Sequence, residues 1–223
     1  MKVIITGATG YVGEGVMLEL LRMPQVEKVL SVGRRSVKID QYDSLSSEEK
    51  AKLDEYIVPD MMSLKAGDPH FEGYDAVYFI AGISSIGASR EVYQRISYDI
   101  PAHFADIMPS KQKMTYLYLS GAGTDPNGKQ WWMPIKGATE NYIRTLGFNH
   151  AFAYRPALMR WAKGQKFMQR MQYVFFAFYP LMRLLGMANS MTEVAQSMFV
   201  CTRDGYADFV INPRDITRLA KRF

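Results

Sequence analysis

Three glycines near the start of the chain, Gly7, Gly10 and Gly13, are spaced three residues apart between an apolar run (Val3 to Thr6) and a stretch of helical periodicity from Tyr11. Glycine permits a tight turn and a close approach of backbone to another group, and the first turn of a helix has N–H groups with no partner inside the helix. Strand, glycine turn and helix in that order make a seat for a pyrophosphate, because the free N–H donors and the helix dipole both favour negative charge. A glycine-rich turn with no ligand is the alternative. Metal and thiol chemistry have little support: His70, His103 and His150 lie far apart, without metal-ligand spacing, and Cys201 is the single cysteine.

The elements that position this turn follow from hydrophobic patterning. Short apolar runs at Val3 to Thr6, Lys28 to Val32, Tyr56 to Val58, Ala76 to Ala81, Thr115 to Ser120 and Ala151 to Tyr154 alternate with helical patterns at Tyr11 to Met23, Arg90 to Met108 and Pro134 to Thr145. Continuous apolar strands alternating with helices predict βαβ units and a doubly wound, mostly parallel α/β sheet. At 223 residues the chain suits one domain. We expect residues 1–160 to form the nucleotide-binding core and residues 161–223 a small helical extension that shapes a substrate pocket. Within that extension, helical patterns run from Gln165 to Leu185 and Thr192 to Thr202, followed by a short strand near Ala207 to Ile211. A last helix is predicted from Asn212 as N-cap, Pro213 at the first position and Asp215 in the first turn.

The spacing of Gly7-Ala8-Thr9-Gly10-Tyr11-Val12-Gly13 resembles that of extended and atypical short-chain dehydrogenase/reductase proteins, the NAD(P)-dependent epimerase-like Rossmann family, and the likeness continues over most of the chain. The resemblance implies a nicotinamide dinucleotide held by Gly7, Thr9, Gly10, Tyr11, Val12 and Gly13. After the second strand, Arg34-Arg35 replace the acid that would accept from a ribose 2′-hydroxyl, and guanidinium forks suit a 2′-phosphate, which favours NADP(H) over NAD(H). A solvent-facing arginine pair is the alternative. Asp60, with Met61 beside it, stands where the family contacts the adenine, although Asp60 also suits a turn-initiating loop residue. Ala81-Gly82 stand where small residues make room for the adenine ribose.

The family's Tyr-x-x-x-Lys pair puts phenol and ammonium on one helix face. Here Lys136 is in place and the tyrosine position holds Trp132, whose indole donates a hydrogen bond and has no proton equilibrium near neutrality. Ser120 precedes Gly121, where many relatives carry their functional serine, so Ser120 is a candidate for orienting substrate, or a structural residue, and Thr124 is a possible substitute. Arg155-Pro156 resemble a pair that walls the nicotinamide. The resemblance therefore implies an NADP(H)-linked oxidoreductase or epimerase-like enzyme that lacks the usual acid; a dinucleotide-binding regulatory or assembly protein is the alternative.

The chain carries a net charge of +5, and no Asp or Glu occurs between Glu140 and Glu193, where seven Lys and Arg residues are interspersed with aromatics. Pro180 and Arg183 leave this segment short of a membrane span. We expect Gln165 to Met187 to fold over the cofactor-proximal pocket and to favour a small-molecule substrate with an apolar body and an anionic or polar head. A helix lying on a membrane surface is the less favoured reading. No motif with base-reading geometry suggests nucleic acid. The start of the chain, an apolar strand running into glycine, does not resemble a signal peptide, and a cytoplasmic protein is expected.

Overall fold

In the computed structural model, which describes residues 1–167 and 176–223, the apolar runs become parallel strands. The first half comprises β1 (Lys2–Thr6), α1 (Tyr11–Arg22), β2 (Lys28–Gly33), α2 (Ser47–Ala51), β3 (Leu53–Ile57) and β4 (Ala76–Phe79). Next come α3 (Arg90–Gln94), a π-helical turn (Arg95–Asp99), α4 (Ile100–Asp106), β5 (Thr115–Leu119), α5 (Met133–Arg144) and β6 (His150–Tyr154). The described remainder contains β7 (Leu158–Arg160), α6 (Tyr179–Leu184), β8 (Ala188–Ser190), α7 (Met191–Asp204), β9 (Val210–Ile211) and α8 (Pro213–Ala220).

The main sheet has the order β3-β2-β1-β4-β5-β6-β9, and every pairing is parallel. Its central strands are apolar on both faces because both faces are covered. On one side Val16 and Leu20 of α1 pack with Met198 of α7 and Leu219 of α8. On the other, Phe104 of α4 and Ile143 of α5 pack with Phe79 and Tyr116 from the sheet. This is the doubly wound α/β fold expected from the sequence. Residues beyond 161 contribute to it directly: β9 extends the sheet and α7 packs along α1.

Four local features depart from the sequence reading. β3 begins three residues early, taking in Asp54 and Glu55, because an edge strand pairs through its backbone on one side and leaves these carboxylates exposed. The helix expected over Arg90 to Met108 contains the π turn and ends at Asp106. A small parallel sheet of β7 and β8 was not foreseen. The helix predicted from Gln165 does not start there: the Lys166 and Phe167 N–H groups donate to the Glu14 carboxylate at 2.6 and 2.7 Å, while residues 168–175 lie outside the described residues. Pro180 occupies the first turn of α6, a position where its missing N–H is harmless. At α8, Asp215 accepts the Asn212 N–H at 3.2 Å, so that helix starts where its sequence signals place it.

Candidate functional site

The strand order reverses between β1 and β4, and a crevice at the carboxyl ends of the strands is expected at such a point. Thr6 Oγ1 accepts the N–H groups of Ile80 and Ala81, each at 3.0 Å, and so locks the two strand ends together. The chain then turns through Gly7, whose φ of +75° favours glycine, and Gly10 N–H closes the turn on Gly7 O at 2.9 Å. A Cβ on Gly13 would lie 2.0 Å from Gly7 O, and one on Gly7 would lie 2.8 Å from Ala81 N. The turn itself therefore demands these two glycines.

Gly10 is different. Its φ is −110°, which any residue adopts, and a Cβ there would meet nothing nearer than Gly7 O at 3.4 Å. Neither backbone nor packing calls for glycine at this position; its missing side chain keeps the cleft open. Gly10 also caps α1 without a side-chain acceptor, which leaves the first N–H groups of α1 available to an outside anion.

The cleft has a volume of about 880 Å³. It brings together Gly7, Thr9, Gly10, Tyr11, Val12 and Gly13 from the turn, Arg34 and Arg35 after β2, and Asp60 and Met61 after β3. Ala81 and Gly82 after β4, Ser120 after β5 and Lys136 of α5 complete the set. Four residues singled out in the sequence, Thr124, Trp132, Arg155 and Pro156, do not line it. Among the described residues the lining carries four cations, Arg34, Arg35, Arg95 and Lys136, against one acid, Asp60, a balance that suits an anionic ligand. Arg35 Nη2 reaches Thr9 Oγ1 at 3.4 Å, bringing the arginine pair up to the glycine turn. One Asp60 oxygen accepts the Met62 N–H at 3.0 Å, as in the turn the sequence allows, and the other accepts from Arg95, a second cleft-lining residue, at 2.9 Å.

At the inner end, Lys136 Nζ lies 3.2 Å from Leu119 O and 3.4 Å from Tyr118 Oη. The Ser97 carbonyl in the π turn accepts both Tyr118 Oη at 2.9 Å and Thr139 Oγ1 at 2.6 Å, which fixes α5 and β5 around the lysine. Burial pushes the Lys136 ammonium down to about 8, against the opposing pull of Glu140. Ser120 Oγ pairs with Thr124 Oγ1 at 3.0 Å. Trp132 is the N-cap of α5, one turn before Lys136, and its carbonyl accepts the Lys136 N–H at 3.3 Å.

Arg155 is committed elsewhere. Its Nε donates to Glu140 Oε1 at 2.9 Å and a second nitrogen pairs with Oε2, a two-pronged link from the end of β6 to α5. Pro156 O accepts the Ala122 N–H at 3.3 Å and thereby holds the loop after β5. Tyr11, the tyrosine in the lining, donates its hydroxyl to Met159 O at 2.6 Å, and burial pushes its phenol up to about 12.

Sequence reasoning missed Arg95 and Glu14, whereas Phe167 falls in the segment expected to cover the pocket. Arg95 and Phe167 line the cleft, and Glu14 takes hydrogen bonds from Tyr42 Oη, Lys166 N and Phe167 N while almost fully buried. The available signal was an acid on the apolar face of α1.

No protein-family model matches the chain. The chain is 25% identical over 162 residues to protein HTATIP2 of Rattus norvegicus, a match covering 71% of this chain and 62% of the rat protein. It is also 25% identical over 161 residues to protein FMP52, mitochondrial, of Saccharomyces cerevisiae, covering 70% and 64% respectively. The match thus spans under two-thirds of each relative's length. Among solved structures, MoeE5 in complex with UDP-glucuronic acid and NAD superposes with a TM-score of 0.68 at 16% identity, covering 95% of this chain and 76% of that one. UDP-glucuronic acid 4-epimerase from Bacillus cereus in complex with NAD gives 0.66 at 15% identity, with 95% and 76% covered. A short-chain dehydrogenase/reductase from Saccharomyces cerevisiae gives 0.66 at 12% identity, with 99% and 98% covered.

Proposed function

We propose that this chain, which shares its fold with NAD-binding epimerases and short-chain dehydrogenases/reductases, binds NADP(H) in the cleft and acts as an oxidoreductase or epimerase-like enzyme on a carbonyl or alcohol. The observation that carries this reading is Gly10, a glycine that the fold does not require, beside the open N-terminus of α1. The pyrophosphate would take the N–H groups there, and Arg34 and Arg35 would take the 2′-phosphate. Ser120 would orient the substrate oxygen. Ile83, Val92, Ile96 and Phe167 supply apolar wall for the substrate body, and Arg95 is the cation beside them.

A bound nicotinamide dinucleotide supplies hydride chemistry; the chain must supply the proton. Trp132 does not reach the cleft and Tyr11 is tied to Met159 O, so Lys136 is the side chain placed for proton transfer. A group titrating near 8 is poised to act as an acid at neutral pH. Lys136 is protonated below about 8 and neutral above it. Reductive kcat/KM for NADPH should therefore fall as pH rises through 8, and the reverse oxidation should gain. Lys136→Met should lower kcat by about a hundredfold or more and abolish the bend. A wild-type profile flat from pH 7 to 9 would remove Lys136 from the proton step. The second reading, a cofactor-binding protein without turnover, is favoured by the absence of a tyrosine at position 132. Tight NADPH binding with no NADPH oxidation across a panel of aldehydes, ketones and nucleotide sugars would select it.

A further inference from the structure

Of the region expected to cover the pocket, residues 168–175 lie outside the described residues, and the part from 176 to 187 presents an apolar face to solvent. Phe167 lines the cleft, but residues 176–187 are absent from its lining. On and around α6, Phe178, Leu181, Leu184, Leu185 and Met187 are all exposed, Leu184 at 84%. These side chains do not belong to a loosely held segment. Arg183, on the inner side of α6, donates to Ala188 O at 2.9 Å and to Glu193 Oε2 at 2.8 Å, and Met187 N–H closes on Met182 O at 2.8 Å. The core grips α6 through its arginine and turns the leucines outward.

The rim of this face is basic and aromatic. Arg160 lies over the Tyr179 ring at 5.7 Å, Phe176 stacks on Tyr179 at 5.6 Å and meets the Trp161 ring at a tilt with centroids 4.0 Å apart, and Arg214 reaches Leu185 O at 3.4 Å from the other side. Lys163 and Lys166 are exposed nearby in sequence, and no acid occurs from residue 141 to residue 192. No helix among the described residues is long and apolar enough to cross a membrane.

We propose that this face docks the protein peripherally on an anionic lipid surface, with the α6 leucines entering the headgroup boundary and Arg160 and Arg214 meeting lipid phosphates. Protruding leucines, aromatic rings at their base and cationic side chains at the rim are what such a surface recognises. A second copy of the chain fits less well: a twofold contact through this face would set its cationic rim, with Arg160 and Arg214, against the same rim of the other copy. The face also adjoins the cleft, since the Tyr11 hydroxyl on the cleft wall bonds Met159 O, next to Arg160.

The test is flotation of the full chain with vesicles of phosphatidylcholine alone or with about one-third phosphatidylserine. We expect binding to the anionic vesicles, weakened by salt, and at least about tenfold less binding for the double variant Leu181→Asp/Leu184→Asp. NADPH binding by that variant should be unchanged, which shows that it has folded. Failure of the wild type to float with anionic vesicles overturns the proposal, as does equal flotation of a variant that still binds NADPH. A dimer in light scattering that the double variant disrupts, without vesicle binding, assigns the face to self-association instead.

Discussion

Gly10→Val is expected to leave the fold standing and to weaken NADPH binding by at least about a hundredfold, whereas Gly13→Ala is expected to weaken the fold itself. A valine at position 10 meets ordinary contact and an allowed φ, so the expected loss is that of a poorer helix N-cap, about 1 kcal/mol. Its methyl groups would occupy the space next to the free α1 N–H groups, where a pyrophosphate has to approach. At position 13 a single methyl would be forced to within 2.0 Å of Gly7 O, and relief requires α1 to move off β1. That displacement disturbs Val16 and Leu20 in the core and should cost about 3 kcal/mol or more. Urea unfolding read by circular dichroism, together with fluorescence titration of NADPH, separates the two effects. A Gly10→Val protein that binds NADPH like the wild type would show that the turn does not hold the cofactor.

The second large effect is expected at Glu14. Its carboxylate is buried and accepts from the Tyr42 hydroxyl at 2.9 Å and from two backbone N–H groups, and it is the reason that residues 166 and 167 run along α1. Glu14→Ala would remove the acceptor from the buried Tyr42 hydroxyl and from two part-buried backbone N–H groups; at about 1–3 kcal/mol for an unsatisfied buried group and less where water can reach, a loss of about 2 kcal/mol or more is expected. The same change should reach the cleft, because Phe167 forms part of its wall. Glu14→Gln retains the volume but turns amide hydrogens toward groups that are themselves donors, so it should recover only part of the stability. A midpoint in urea unchanged by Glu14→Ala would show that this anchor carries no energy.

The fold was legible because its central strands are buried on both faces and therefore appear as unbroken apolar runs, while α1, α5 and α8 carry periodicity or end signals of their own. Asn212, Pro213 and Asp215 are a case where cap chemistry alone placed a helix start. The glycine turn, Arg34 and Arg35 could be placed in the cleft because each follows a strand end directly, and Lys136 because of the family's Tyr-x-x-x-Lys pattern. Arg95 was not, because its place in the cleft depends on the π turn, which shifts the helix face within an otherwise ordinary helical pattern. Arg155 followed a strand as a cofactor-facing residue would, but the long-range pair with Glu140, fifteen residues earlier, decides where it points. The segment after Arg160 was legible only in part, and its residues 168–175 lie outside the described residues. Its apolar content suggested a pocket lid; Phe167 lines the cleft, and the ion pair of Arg183 with Glu193 shows which side of α6 faces the core.

The most direct test of the central claim is calorimetric titration of the wild-type chain with NADPH and with NADH at one ionic strength, repeated on Arg34→Ala/Arg35→Ala. The account predicts saturable binding of NADPH that is tighter than that of NADH by about tenfold or more, since one charge-assisted contact to the 2′-phosphate contributes about 1.5–3 kcal/mol. In the double variant the two affinities should converge while NADH binding stays nearly as it was. Equal affinities in the wild type, tighter NADH binding, or no heat with either cofactor would contradict it.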